Sequence, residues 1–174
     1  MNIREATIDL HNAVEETEFA KKMIAGTLTK QGYVIYLNAQ YLIFNAMEQY
    51  GEYVLPHVSL PRKQSIIDDL KSLDEEATGF NMPKSAYKYS DYVLGAIDKV
   101  DRNSHIYLNY MGMMFGGGIV AKNGYSAGNL YKFEDRSDII KSIRELELSV
   151  DEVNQGFRYH IEIFEEIERM CNRV

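Results

Sequence analysis

The sequence predicts a single all-α domain, on three observations. Apolar residues recur at three- and four-residue spacing along nearly all 174 positions, and no pair of segments alternates as strands do. Proline, which interrupts helices, occurs only three times. Hydrophobic residues make up 45% of the chain, which at this length suits one packed core spanning residues 1–174.

Each element follows from local chemistry. Ile3, Ala6, Leu10, Ala13 and Val14 form one apolar helical stripe, ending near Glu15–Glu18. A short helix through Ala20, Met23 and Ile24 stops at Gly26. Thr29 caps a long helix to about Tyr50, with Val34, Leu37, Tyr41, Phe44 and Met47 inward. Gly51 and Pro56 mark a loop, and Pro61 fits the first turn of a helix through Ile66, Ile67 and Leu70. Thr78 to Lys84, with Gly79 and Pro83, reads as a loop, and Ser90 to Asp101 as a helix. Ser104 starts a glycine-bearing helix, and residues 123–136 form the longest loop. Ser137 to Leu148 is helical. Ser149 and Glu152 make a capping box for a last helix through Phe157, Ile161, Phe164 and Ile167.

Composition removes several function classes. The net charge of −7 argues against a nucleic-acid binder, which needs a basic face. Cys171 is the only cysteine, so neither an internal disulfide nor a cysteine metal cluster is available. No segment approaches 18 consecutive apolar residues, and Met-Asn-Ile-Arg-Glu-Ala is not a signal peptide, so a cytoplasmic protein is expected. There is no P-loop, no Gly-x-Gly-x-x-Gly, no Gly-x-Ser-x-Gly and no Glu-x-x-His.

The stretch from His105 to Gly118 carries most of the functional information. Gly112, Gly116, Gly117 and Gly118 sit within a helical pattern. Each interior glycine costs a helix about 0.8–1 kcal/mol relative to alanine. The run reads equally as a loop between helices or as a helix whose backbone admits a flat or bulky group. Of the four histidines, His11 adjoins the N-terminal apolar stripe, with Glu15 one turn on along the same face. A carboxylate there can fix the imidazole tautomer and raise its basicity as a ligand. His57 lies in a loop beside Pro56, and His105 and His160 read equally as packing.

These residues resemble a known family. Ile3-Arg4-Glu5-Ala6-Thr7-Ile8-Asp9-Leu10-His11 is similar to the start of heme oxygenases, where a Leu-[Lys/Arg]-Glu-Ala-Thr-x-x-[Leu/Val]-His run ends in the proximal heme ligand. Glu15, Glu18-Phe19, Gly26, Thr29 and the Tyr33, Tyr41, Ala46, Glu48 series continue the match, as do Arg62-Lys63 and Asp69-Leu70. Tyr107, Tyr110, Gly112, Gly116 and Gly117 fall on the distal motif Tyr-x-x-Tyr-Leu-Gly-Asp-Leu-Ser-Gly-Gly-Gln, and Phe157 with Ile161 to Glu166 resembles the final helix. The chain is short for the family and the loop before residue 137 is trimmed, as in cyanobacterial, bacterial or phage forms that supply bilins or release iron; a phage-encoded form would act in the host cytoplasm.

The resemblance implies a helical bundle with heme b, both cofactor and substrate, between the first helix and the glycine helix. It implies cleavage by O2 and reducing equivalents to biliverdin, chiefly the IX alpha isomer, with Fe2+ and CO. His11 is the implied iron ligand, oriented by Glu15. Gly112, Gly116 and Gly117 would let the distal backbone come close. Arg4, Lys141 and Arg144 are candidate propionate partners, Lys141 fitting the family's basic position better than Arg144. Tyr107, Met113 and Phe157 complete the expected heme contacts. A ferredoxin or another reductant and a downstream bilin reductase are the expected partners, with no membrane or nucleic acid.

The departures cluster on the distal side. Met113 replaces the aspartate that orders the proton-delivering water, Asn109 an arginine, and Phe44 a tyrosine of the same network. Phe115 and Gly118 replace the motif's Ser and Gln, and Ile8 a basic residue. Asn109 and Tyr110, with Tyr107, are the local groups able to order a water instead. Met113 is a conceivable soft sixth ligand, although the family geometry keeps this side chain off the metal. Two other readings stand beside catalysis: a non-catalytic heme-binding protein on this fold, or a heme-free metal oxidase.

Overall fold

The computed structural model describes residues 2–50, 52–77 and 82–173. Among these the chain is all-helical: α1 (Ile3–Ala6), α2 (Ile8–Glu15), α3 (Glu18–Ala25), α4 (Lys30–Asn45), α5 (Lys63–Ser72), α6 (Lys84–Leu94), α7 (Lys99–Lys122), α8 (Arg136–Arg144) and α9 (Val150–Cys171). A π-helical turn, Ala46–Tyr50, extends α4, and a 3-10 turn, Asn129–Tyr131, interrupts the loop before α8.

The expected caps are largely present. Thr29 accepts from the Gly32 N–H and Gly26 ends α3 with φ +77°; Thr17, a cap the sequence reading did not name, accepts from the Ala20 N–H. The first helix is not continuous, because the Thr7 hydroxyl bonds back to the Ile3 carbonyl at 2.8 Å and breaks the stripe. Pro61 lies just outside α5, whose first N–H groups, on Arg62 and Lys63, are taken by the Glu48 carboxylate.

Three boundaries differ from the sequence expectation. The Ser90–Asp101 helix is instead α6, which begins at Lys84 behind Pro83 and ends at Leu94. The glycine helix starts at Lys99 rather than Ser104, because the Asp98 carboxylate caps Val100 and Asp101. The helix expected to run to Leu148 stops at Arg144. Thr78, Gly79, Phe80 and Asn81 of the expected loop lie outside the described residues.

Helix α9 is the central strut, packing against α2, α3, α4, α6 and α7. Ser149 pairs with Ser104, Gly156 faces Leu108 and His160 pairs with Asn109, so α7 and α9 run side by side in one direction. His11 meets Phe157, Phe19 meets Phe164 and Lys22 meets Glu168, so α2 and α3 ascend the neighbouring flank of α9. The core fills the space between α4, α6, α7 and α9 around Leu37, Ile43, Tyr89, Tyr110 and Ile163.

Candidate functional site

The glycine run is helix, not loop: α7 continues unbroken through Gly112, Gly116, Gly117 and Gly118. One face of this stretch is open. A Cβ on Gly112 or Gly116 would meet nothing within 4 Å, while Phe115 and Ile119 beside them are 52% and 54% exposed. The bare backbone and the two apolar groups thus lie together on one exposed face of α7. Gly117 points elsewhere. A Cβ there would lie 2.2 Å from the Tyr131 ring, so its missing side chain admits a core tyrosine. Gly118 also faces open space.

Across the flank of α9 stands His11. Its side chain is 47% exposed, Nε2 lies 3.6 Å from a Glu15 oxygen, and the ring meets Phe157 edge-on at 5.8 Å. That separation is just beyond a hydrogen bond, so Glu15 is close enough to take one ring N–H after a small closure. Helices α2 and α7 both lean on α9 with little contact between them. The slot so formed has an imidazole on one side, bare backbone on the other and Phe157 between.

Charge gathers near Tyr107. Its half-buried phenol is pushed up by burial, while the Arg4 and Arg144 guanidinium groups pull it down. Thus α1 and α8 bring two cations toward one residue of α7. Lys141 is exposed, one turn before Arg144 on α8.

The expected water-ordering groups are already engaged. Tyr110 is buried and donates to Glu48 at 2.8 Å, and its ring packs edge-on against Phe44. Burial, then the Glu48 charge, holds its phenol well above the usual range. Met113 is buried, with its sulfur 3.9 Å from the Tyr36 hydroxyl. Asn109 spends both amide hydrogens, on the His105 carbonyl at 2.9 Å and the Tyr89 oxygen at 3.0 Å.

Asn109 belongs to a chain of polar groups that sequence reading missed. The His160 Nε2 lies 2.8 Å from Asn109 Oδ1, the Tyr89 oxygen 2.9 Å from His105 Nδ1, and His105 Nε2 3.3 Å from Glu152 Oε2. Tyr92 also donates to Glu152. Glu152 was expected to reciprocate the Ser149 cap. Instead the Ser149 N–H donates to Ser104 Oγ at 2.8 Å, and the carboxylate turns inward. Burial lowers both histidines: His105 against the pull of Glu152, and His160 to about 4, with His105 adding to the effect. The network spans α6, α7 and α9, and no sequence spacing signals it. The one available hint was that His105 and Asn109 stand one helical turn apart.

Among the described residues no cluster of three or more His, Cys, Asp or Glu could hold a metal ion. The heme-free oxidase reading therefore finds no ligand set there. Among the described residues no helix is long and apolar enough to cross a membrane.

Comparison with known proteins bears on the family and the fold. The family model described as "Heme oxygenase" matches residues 1–149. The chain is 24% identical to heme oxygenase 2 of Macaca fascicularis over 96% of its own length and 64% of that protein's. It is 26% identical to heme oxygenase 1 of Synechocystis over 95% of its length and 83% of that relative's. The crystal structure of Synechocystis heme oxygenase-1 in complex with heme superposes with a TM-score of 0.77 at 22% identity, covering 97% of this chain and 91% of that one. Heme oxygenase from Leptospira interrogans gives 0.78 at 21% identity, covering 94% and 97%. The chain thus spans about two thirds of the mammalian relatives' length, and the structural neighbours share its all-α single-domain fold.

Proposed function

Because the chain belongs to the heme oxygenase family, we propose that it cleaves heme, using O2 and reducing equivalents, to biliverdin, Fe2+ and CO. The observation that carries the proposal is the pairing of a half-exposed His11 with the open Gly112–Gly116 backbone across α9. Heme, when bound, supplies the iron at which dioxygen is activated. His11 holds that iron, and Glu15 fixes which ring nitrogen carries the proton. Gly112 and Gly116 set how near the α7 backbone stands to the open side of the porphyrin. Phe115, Ile119 and Phe157 exclude water from its faces.

Arg4 and Arg144, which converge near Tyr107, anchor the propionates, with Lys141 at the outer edge. Charge-assisted hydrogen bonds of this kind fix the rotation of the porphyrin and so select the meso carbon that is cut. The IX alpha isomer is the expected product. A ferredoxin supplies the electrons and a bilin reductase takes the product in this reading.

The engagement of Asn109, Tyr110 and Met113 elsewhere favours one second reading, a heme-binding protein without turnover. Product analysis separates the two. Heme, ferredoxin with its reductase, O2 and catalase are mixed with the protein and the pigment is chromatographed. Biliverdin supports cleavage. A persistent Soret band with no pigment supports the carrier, and no heme binding overturns both.

A further inference from the structure

Hydrogen positions along the buried chain are fixed by one backbone group. The His105 carbonyl can only accept, so the Asn109 atom 2.9 Å from it is Nδ2, and Oδ1 faces His160. His160 Nε2 must then carry a proton. The second Asn109 hydrogen goes to the Tyr89 oxygen, so the Tyr89 hydroxyl donates onward to His105 Nδ1. His105 consequently carries its proton on Nε2 and gives it to Glu152. Every hydrogen points the same way, from His160 toward the Glu152 carboxylate.

The direction has a consequence at the far end. A neutral His160 with its proton on Nε2 leaves Nδ1 as a bare lone pair, and Nδ1 takes no hydrogen bond from the described residues. The middle of the chain is sealed, with Tyr89 and His105 at 0% and Asn109 at 2% exposure, whereas His160 keeps 9%. Its place matters too. Phe157, one turn earlier on α9, touches His11, and Asn109, its partner on α7, precedes Gly112 by one turn. His160, its ring packed against Tyr89 at 5.3 Å and Phe164 at 6.3 Å, thus lies one turn from residues that flank the imidazole and the open glycine face.

Resting on the heme reading, we propose that His160 is the positioning residue of the distal side. Its Nδ1 accepts one O–H of a water in the slot and leaves the second O–H free to donate to the bound substrate. The Glu152–His105–Tyr89–Asn109 chain keeps that lone pair available by pinning the opposite tautomer. Met113, which offers no polar hydrogen, has no part in it.

The first test needs no turnover. Long-range proton–nitrogen spectra of the full-length, 15N-labelled protein without heme report the tautomer of each histidine. His160 should show Nε2–H and a bare Nδ1 at pH 7; the reverse tautomer overturns the proposal. Zinc protoporphyrin should then shift the ring protons of both His11 and His160, and a shift at His11 alone also overturns it. His160→Phe should lower kcat by about 100-fold with KM unchanged. His160→Gln can donate to Asn109 with its amide and offer its carbonyl in place of Nδ1, so it should recover most of the loss. An unchanged kcat in His160→Phe, or no rescue by Gln, sinks the idea. If the wild type makes no pigment while the tautomer and both porphyrin shifts are as expected, the cleavage reading fails and the placement of His160 stands.

Discussion

The described residues include two histidine–glutamate pairs, and they behave oppositely. His11 and Glu15 sit one turn apart on α2, 3.6 Å from each other, with 47% and 57% of their side chains exposed. His105 and Glu152 come from different helices, 3.3 Å apart, at 0% and 16%. The tighter pair is the one that cannot serve a ligand, because Tyr89 occupies its other nitrogen and no solvent reaches the ring. A carboxylate partner alone does not make an imidazole a ligand. What counts is whether the second nitrogen is free and faces space.

The sharpest way to break this contrast is at His11. His11→Ala should abolish the normal ferric heme spectrum, and added imidazole should restore it. An unchanged spectrum would move the ligand to another residue and undo the comparison.

Acid probes the other pair. Burial lowers His105, and lowers His160 from 6.5 to about 4, so both rings bind protons less tightly folded than unfolded. Their stabilising contribution is whole above pH 6.5 and is lost as pH falls from there toward 4. For His160 this amounts to a loss on the order of 3 kcal/mol. Urea unfolding at pH 7 and pH 4 measures it, and His160→Gln should reduce the difference. An equal difference in that variant would mean that other groups carry the acid sensitivity.

The same division between open and occupied space runs along α7. Gly117→Ala drives a methyl into the partly buried Tyr131 ring, whose hydroxyl is tied to Tyr33 at 2.9 Å, and should destabilise the fold by about 2 kcal/mol. Gly116→Ala meets nothing and should stabilise the heme-free protein by up to about 1 kcal/mol through helix propensity. It should also slow heme turnover. Denaturant midpoints for both variants, with turnover for the second, check this pair; destabilisation by Gly116→Ala would show that its face is occupied.

How much of this the sequence revealed follows the same physics. His11 and Glu15 share one helix, so their spacing exposes the pair. Thr29 and Gly26 act within one turn and were equally readable. The glycines announced themselves by their helix cost, yet only packing separates Gly117, filled by Tyr131, from Gly116. The chain from Glu152 to His160 joins three helices and was invisible to any local pattern. For the same reason Asn109 and Tyr110 read as free donors when their hydrogens were already committed. The α6 boundary was misplaced because the Asp98 cap and the residues around Pro83 carried more weight than the apolar spacing.

One consequence concerns how α7 can move. Its first half is bolted to α9 through Ser104–Ser149 and Asn109–His160. Its far end is fastened to α3, where the Asn123 amide donates to the Met23 and Ile24 carbonyls at 2.9 Å. Between these two piers the glycine segment is also held where the Met114 carbonyl accepts from Arg136 at 2.9 Å and where Gly117 rests on Tyr131. A helix so fastened at both ends cannot slide along its own axis. The register of Gly112 and Gly116 along α7 is thereby set by the fold before any guest arrives, so aim does not depend on the guest.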